Sequence, residues 1–188
     1  MNPVPYGAGF SRSIWSLPCA TRRSERHAGS MGGMILHLHL VRHGQTLFNR
    51  YNKLQGWSNS PLTESGLADA VKAGERLKGM TFAAAYCSDT TRAQMTAERI
   101  LDINEQSGNS RPALICDMHF REQFYGYFEG VDMSQAWYAA GGPHGVKTYN
   151  EIVSRYGLAA TRDWLKDADP FHDAESDTEY WQRVAGGF

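Results

Sequence analysis

Between Met34 and Cys116 the sequence alternates three short apolar runs with two stretches of helical period, and this alternation constrains the fold more than any other feature. Met34–Val41 (MILHLHLV) alternates apolar and polar residues with the period of a strand. Pro61-Leu62-Thr63 then opens a helix, with Thr63 as N-cap and Glu64 in the first turn, where the helix dipole favours an anion. Leu67, Ala70, Val71, Gly74 and Leu77 recur at three- and four-residue steps and make one apolar stripe. Phe82–Cys87 reads as a second strand, and Thr90–Leu101 as a helix with Ala93, Ala97, Ile100 and Leu101 facing inward. Asn104–Arg111 reads as a polar loop and Ala113–Cys116 as a third strand. Strand, helix, strand, helix, strand predicts an α/β fold: a layered αβα sandwich around a mostly parallel sheet.

The remainder is less regular. Phe120–Gly145 is aromatic and glycine-rich without a clear period, and it reads as a lid-like excursion of about residues 119–147 over one end of the sheet. Thr148–Lys166 has Tyr149, Ile152, Val153, Tyr156, Ala160 and Trp164 on one side and predicts a helix. A last helix starts after Glu175-Ser176 and is still running near Phe188. Residues 1–33 contain four arginines, no lysine and one acid, with frequent Gly, Ser and Pro and no sustained amphipathic face. They are expected to be a disordered leader or a mis-assigned start, with the folded domain at 34–188.

Composition excludes classes and names no activity. The 188 residues are 41% hydrophobic and 21% charged, which suits a globular domain. A net charge of −1 argues against a nucleic-acid partner. No apolar run approaches the roughly 18 residues of a membrane helix, so no membrane association and a cytoplasmic location are expected. Three widely spaced cysteines (Cys19, Cys87, Cys116) provide neither a disulfide framework nor a zinc ribbon.

The chemistry gathers where the predicted strands end, which is where ligands bind in open α/β sheets. After the first strand come Arg42, His43 and Gly44. Arg42 offers a permanent charge and planar donors suited to phosphate. His43, with an ordinary pKa near 6.5, offers a neutral nucleophilic nitrogen at pH 7, and Gly44 lets a ligand approach the backbone closely. The second strand leads into Arg92, in the first turn of a helix, where a cation is disfavoured unless an anion binds there. The third leads to Glu122, a carboxyl able to protonate a leaving oxygen. Together these groups fit phosphoryl transfer.

The stretch LVRHGQTLFNRYNKLQGWSNSPLTESG resembles the opening motif of the histidine phosphatase superfamily, the phosphoglycerate mutase-like family. YCSDTTRAQMTAE resembles its second arginine motif, FREQFYGYFEG its acid motif, and Asp173-Ala174-Glu175-Ser176 its Glu-Ser turn. The resemblance implies a phosphoglycerate mutase-like sheet and a phosphomonoester hydrolase working through a phosphohistidine. It implies His43 as nucleophile, Arg42 and Arg92 as holders of the phosphoryl oxygens, and Glu122 as general acid and then base. Asn49 would add a phosphate hydrogen bond, and Gln55 and Gly56 would line the pocket rim. The substrate would be a small phosphorylated metabolite, no cofactor or metal is implied, and a homo-oligomer is possible. The residues after the acid look more like the broad-specificity phosphatase branch than the mutases. Asn59 stands where many members carry aspartate. The family's second pocket histidine, in a His-Gly pair after a later strand, has no counterpart before Phe188, so the domain is expected to lack its last strand or strands. His144-Gly145 comes too early in the chain to replace it.

Two rival readings accompany this one. A chain without that histidine would be an inactive or truncated phosphate-binding remnant. Alternatively, His37 and His39 share one strand face and could start a metal site with His119, His144 and His172, although Arg42-His43-Gly44 then has no role.

Overall fold

The computed structural model describes residues 36–188. The predicted leader and Cys19 lie outside the described residues. The described residues fall into two units, 36–42 in the first and His43–Phe188 in the second.

In the first unit, residues 36–42 do not form the strand expected over Met34–Val41. Only Leu40 carries an isolated bridge, and Leu36, Leu38, Leu40 and Val41 are all exposed. A strand needs a continuous ladder and a covered face, whereas residues 36–41 carry one bridge and expose their leucines.

The second unit carries the rest of the predicted pattern. After a single turn of helix, α1 (Leu47–Arg50), comes α2 (Glu64–Leu77), capped by the Thr63 hydroxyl, which accepts from the Gly66 amide. Its buried face is Gly66, Ala70, Gly74 and Leu77, and it packs on α3 (Thr91–Gln106). Leu67, expected inside, is exposed. Strand β1 (Ala85–Cys87) precedes α3, and β2 (Leu114–Cys116) follows it. The two strands pair in parallel, with Ala85, Tyr86 and Cys87 opposite Leu114, Ile115 and Cys116. The α/β class and the parallel pairing hold, on a two-stranded sheet.

Helix α3 runs further than the period predicts, through residues 104–106 of the expected loop. Ile103 and Asn104 are buried, and Asn104 Nδ2 donates to the carbonyls of Leu77 (3.1 Å) and Met80 (2.7 Å), closing the end of α2. The inward face of α3 is Arg92, Thr96, Ile100, Leu101 and Ile103, while Ala93 and Ala97 are only half-buried.

The excursion is more ordered than its composition suggests. It contains α4 (Met133–Gly141), capped by Asp132, which accepts from the amides of Ser134 and Gln135. Helix α5 (Tyr149–Ala168) packs on α4 and is broken at Gly157, where φ is 86° and ψ is 176°. Helix α6 (Asp177–Ala185) starts at a Ser176–Glu179 capping box. It is tied to α5 by the Arg162–Asp177 ion pair at 2.6 Å.

The dry core belongs to this region. Leu54, Phe128, Ala136, Trp137, Ala140, Val146, Ile152 and Leu165 form one buried cluster. Each fully buried Leu or Ile contributes about 1.5–3 kcal/mol relative to exposure. Several excursion aromatics serve this packing. Phe128 and Trp137 are in the core, and Trp137 contacts Tyr125 and Tyr149, whereas Tyr127 and Tyr138 are exposed.

Candidate active site

His43 opens the second unit, and its ring is held at both nitrogens. Nδ1 lies 2.7 Å from the Gly44 carbonyl oxygen. A carbonyl can only accept, so Nδ1 carries the proton and Nε2 the lone pair. That lone pair accepts from Arg92 Nε at 3.1 Å. The side chain is half-buried. This is the tautomer that a nitrogen nucleophile acting through Nε2 requires.

Arg92 is 3% exposed although it stands in the first turn of α3. The helix dipole disfavours a cation there, and carbonyls compensate. Nη1 donates to the Ser58 carbonyl (3.0 Å) and Nη2 to the Gly56 carbonyl (2.7 Å). The sequence suggests an anion as the explanation for this arginine. The structure adds the loop carbonyls that fix it behind His43.

The loop at residues 55–58 joins the site together. Gln55, expected at the rim, is instead 7% exposed: its Oε1 accepts from Thr46 Oγ1 at 2.5 Å and its Nε2 donates to the Ser58 carbonyl at 3.3 Å. It braces the loop from behind. At Gly56 an added Cβ would fall 1.9 Å from the Gln123 carbonyl oxygen and 2.5 Å from Glu129 Oε1, so only glycine permits this approach. Gly44 is a correction of the same kind. Its Cβ would meet the Gly66 carbonyl oxygen at 2.3 Å, so the glycine is required for the contact with α2.

Glu129 is a residue that the motif reading misses. Its carboxylate accepts from the backbone amides of Gly56 (3.1 Å), Trp57 (2.8 Å), Ser58 (3.1 Å) and Tyr125 (3.2 Å), and from the Ser58 hydroxyl (2.5 Å). One carboxylate thus clamps the loop to the excursion. The available signal is an acid between Phe128 and Gly130, inside an aromatic stretch where a solvated carboxylate has no reason to be.

Glu122 lies in the segment after β2, and the main chain there is tightly held. Its carbonyl accepts from Trp57 Nε1 (3.0 Å) and Arg183 Nη2 (3.2 Å). Its carboxyl Oε1 accepts from the Gln123 amide at 2.9 Å, and the residue is exposed. Arg183 on α6 also donates to the carbonyls of His119 (2.9 Å) and Arg121 (3.1 Å), and forks onto Glu175 at 2.6 and 2.8 Å. Glu175 in turn accepts from the Phe124 amide. The Glu-Ser turn therefore fastens the segment that bears Glu122.

Next to it, Arg121 is bidentate to Asp89 at 2.5 Å and stacks 4.6 Å from the Trp57 ring. That ion pair first, against the opposing effect of burial, holds the Asp89 carboxyl below its ordinary pKa. Asn49 spends its Oδ1 on the Thr46 amide in a capping box. Its Nδ2 makes no hydrogen bond to the described residues. Asn59 Oδ1 accepts from the Thr91 amide at 3.0 Å, so an amide oxygen satisfies an N–H in the first turn of α3. Arg42 ends the first unit and is exposed.

The remaining histidines scatter. His119 pairs with Asp117 at 2.6 Å, His144 stacks on Trp164 at 3.6 Å, and His172 reaches the Lys166 carbonyl. Among the described residues no three His, Cys, Asp or Glu are grouped to hold a metal. No helix among them is long and apolar enough to cross a membrane. A concavity of about 660 Å³ is lined by residues of α2 and α3 with Cys116, none of which belongs to the His43 cluster.

Comparison with known proteins bears on the family. Residues 38–142 match the model of the histidine phosphatase superfamily, branch 1. Over 130 residues the chain is 32% identical to 2,3-bisphosphoglycerate-dependent phosphoglycerate mutase 2 of Gloeobacter violaceus, covering 69% of this chain and 51% of that protein. Over 99 residues it is 44% identical to the corresponding mutase of Brucella anthropi, covering 52% of this chain and 47% of that one. The crystal structure of phosphoglycerate mutase from Bacillus anthracis superposes with a TM-score of 0.70 at 34% identity, over 77% of this chain and 62% of that one. The chain spans about half the length of the curated relatives it matches. With the matched segment running from the residues before His43 to the end of α4, the chain belongs to the histidine phosphatase superfamily.

Proposed function

We propose that this chain carries the phosphoryl-accepting site of a phosphomonoester hydrolase that acts through a phosphohistidine at His43 on a small phosphorylated metabolite in the cytoplasm. One observation carries the reading: His43 has its Nδ1 proton on the Gly44 carbonyl and its Nε2 lone pair beside the buried Arg92 guanidinium. In the first step Nε2 attacks phosphorus, the bond to the ester oxygen breaks, and that oxygen takes the proton of Glu122. In the second step the Glu122 carboxylate removes a proton from water. The water oxygen attacks phosphorus, the bond to Nε2 breaks, and inorganic phosphate leaves. Negative charge spreads over the equatorial oxygens in both transition states, and the fixed guanidinium of Arg92 stabilises it. Arg42 joins it in this role on the strength of the motif, and Asn49 Nδ2 supplies a further donor.

The competing reading is a phosphoglycerate mutase, which the names of the relatives favour. In that reaction the phosphoryl group on His43 passes to the free hydroxyl of a phosphoglycerate instead of to water, and the bisphosphoglycerate formed returns its other phosphoryl group to His43. The test is hydrolysis of p-nitrophenyl phosphate and, separately, interconversion of phosphoglycerates with 2,3-bisphosphoglycerate present. Phosphate release abolished by His43→Ala, without interconversion, supports the hydrolase. Interconversion that depends on bisphosphoglycerate and on His43 supports the mutase. Neither activity, with phosphate still bound, leaves the phosphate-binding remnant.

A further inference from the structure

Two of the three cysteines face each other. Cys87 and Cys116 close β1 and β2 as register partners, with Sγ atoms 3.6 Å apart. Opposed residues on neighbouring strands have Cα atoms about 4.8 Å apart, inside the roughly 4.4–6.8 Å range that disulfides span. Rotation of the side chains is enough to bring the sulfurs to the bonding distance of about 2.0 Å. The two thiols differ in setting. Cys116 is exposed and borders the open groove of about 660 Å³ beside Leu67, Val71 and Met95. Cys87 is half-buried. Burial first, then the hydrogen bond and charge of Cys116, push its pKa up to about 12, so it keeps its proton while Cys116 reacts.

We propose that Cys87 and Cys116 form a reversible intramolecular disulfide by exchange with a low-molecular-weight disulfide of the glutathione class. The Cys116 thiolate attacks one sulfur of the small disulfide, whose other sulfur leaves as a thiolate and takes up a proton. Cys87 then gives its proton to solvent and attacks the Cys116 sulfur, releasing the second small thiol. Two protein thiols are oxidised and one small disulfide is reduced to two thiols. The bond staples β1 to β2 directly beneath the turns that lead to the site. Ser88 and Asp89 follow Cys87, Asp89 holds Arg121, and the Asp117 amide donates to the Cys87 carbonyl at 2.9 Å.

The test uses the full chain with Cys19→Ser, incubated with oxidised glutathione at mildly alkaline pH. The expected product is two hydrogen masses lighter, has lost both thiols to alkylation, carries no glutathione, and yields one linked peptide pair containing Cys87 and Cys116. Dithiothreitol restores both thiols. With Cys87→Ser added, the reaction stops at a glutathione adduct on Cys116. A lasting glutathione adduct while Cys87 is present, two thiols that survive excess oxidant, or a link only between separate chains overturns the proposal. The peptide map of the chain that retains both cysteines gives this answer even if the second variant does not fold.

Discussion

The helical region and the sheet layer of the second unit are built differently. Around α4 and α5, Ile152 and Leu165 are 0% exposed inside a contiguous apolar cluster. On β1 and β2, Tyr86 is 58% and Ile115 45% exposed. The proposed site residues His43, Arg92 and Glu122 lie on loops and in the first turn of α3, outside that apolar cluster. Carboxylates fasten the loops there. Glu129 collects the amides of residues 56–58, Glu175 and Arg183 fix the segment that bears Glu122, and Asp169 gathers the turn before α6. Burial stabilises one region, and directed hydrogen bonds position the other.

The sharpest way to break this contrast is a pair of truncations. Leu165→Ala should cost about 2–5 kcal/mol in urea unfolding, as a cavity in a packed core does. Ile115→Ala should cost less than about 1 kcal/mol, because its side chain is already half in water. Equal losses would remove the distinction. Next in size, Glu129→Gln keeps the shape but removes the charge that five donors share. We expect about 1.5–3 kcal/mol of destabilisation. Phosphate release should fall more than stability alone explains, since the carbonyls of Gly56 and Ser58 no longer hold Arg92. Activity measured well below the melting temperature separates the two effects.

The smallest effect depends on pH. Burial pushes the Asp169 pKa up, but the amides of Phe171, Tyr127, Ala174 and Asp173 outweigh it and hold the carboxyl below its ordinary value. A carboxyl with a depressed folded-state pKa stabilises the fold above the unfolded value of about 3.9, and this is lost as pH falls through the folded-state value. Melting temperatures between about pH 7 and pH 3 should therefore drop more steeply for the wild type than for Asp169→Asn. Parallel curves would show that the carboxylate does not secure the turn.

Much of this was legible in the sequence where local rules decide. Thr63 capping α2 and the start of α6 after Glu175-Ser176 are signals of one residue and its next turn, and both stand where the sequence puts them. The pairing of β1 with β2 follows from the strand–helix–strand order. The misses are non-local. A strand at residues 34–41 depends on ladder partners that no periodicity can supply. Helix α3 outruns its apolar stripe because Asn104, a polar residue, is buried to close α2. Gly44 reads as a ligand contact because its real neighbour, Gly66, lies 22 positions away in the sequence. Glu129 and Arg183 hold carbonyls and amides of distant loops, contacts that residue spacing does not encode, whereas Glu175 stands in the legible Glu-Ser turn.

The central claim is that Nε2 of His43 accepts the phosphoryl group. Its most direct test is phosphorus NMR of the chain after reaction with phosphoramidate under alkaline conditions that preserve phosphohistidine, with His43→Ala alongside. The account predicts a single acid-labile signal of the Nε2-phosphorylated isomer, mapped to the peptide that contains His43 and absent from the variant. Phosphorylation on Nδ1, or label that persists in His43→Ala, would contradict it.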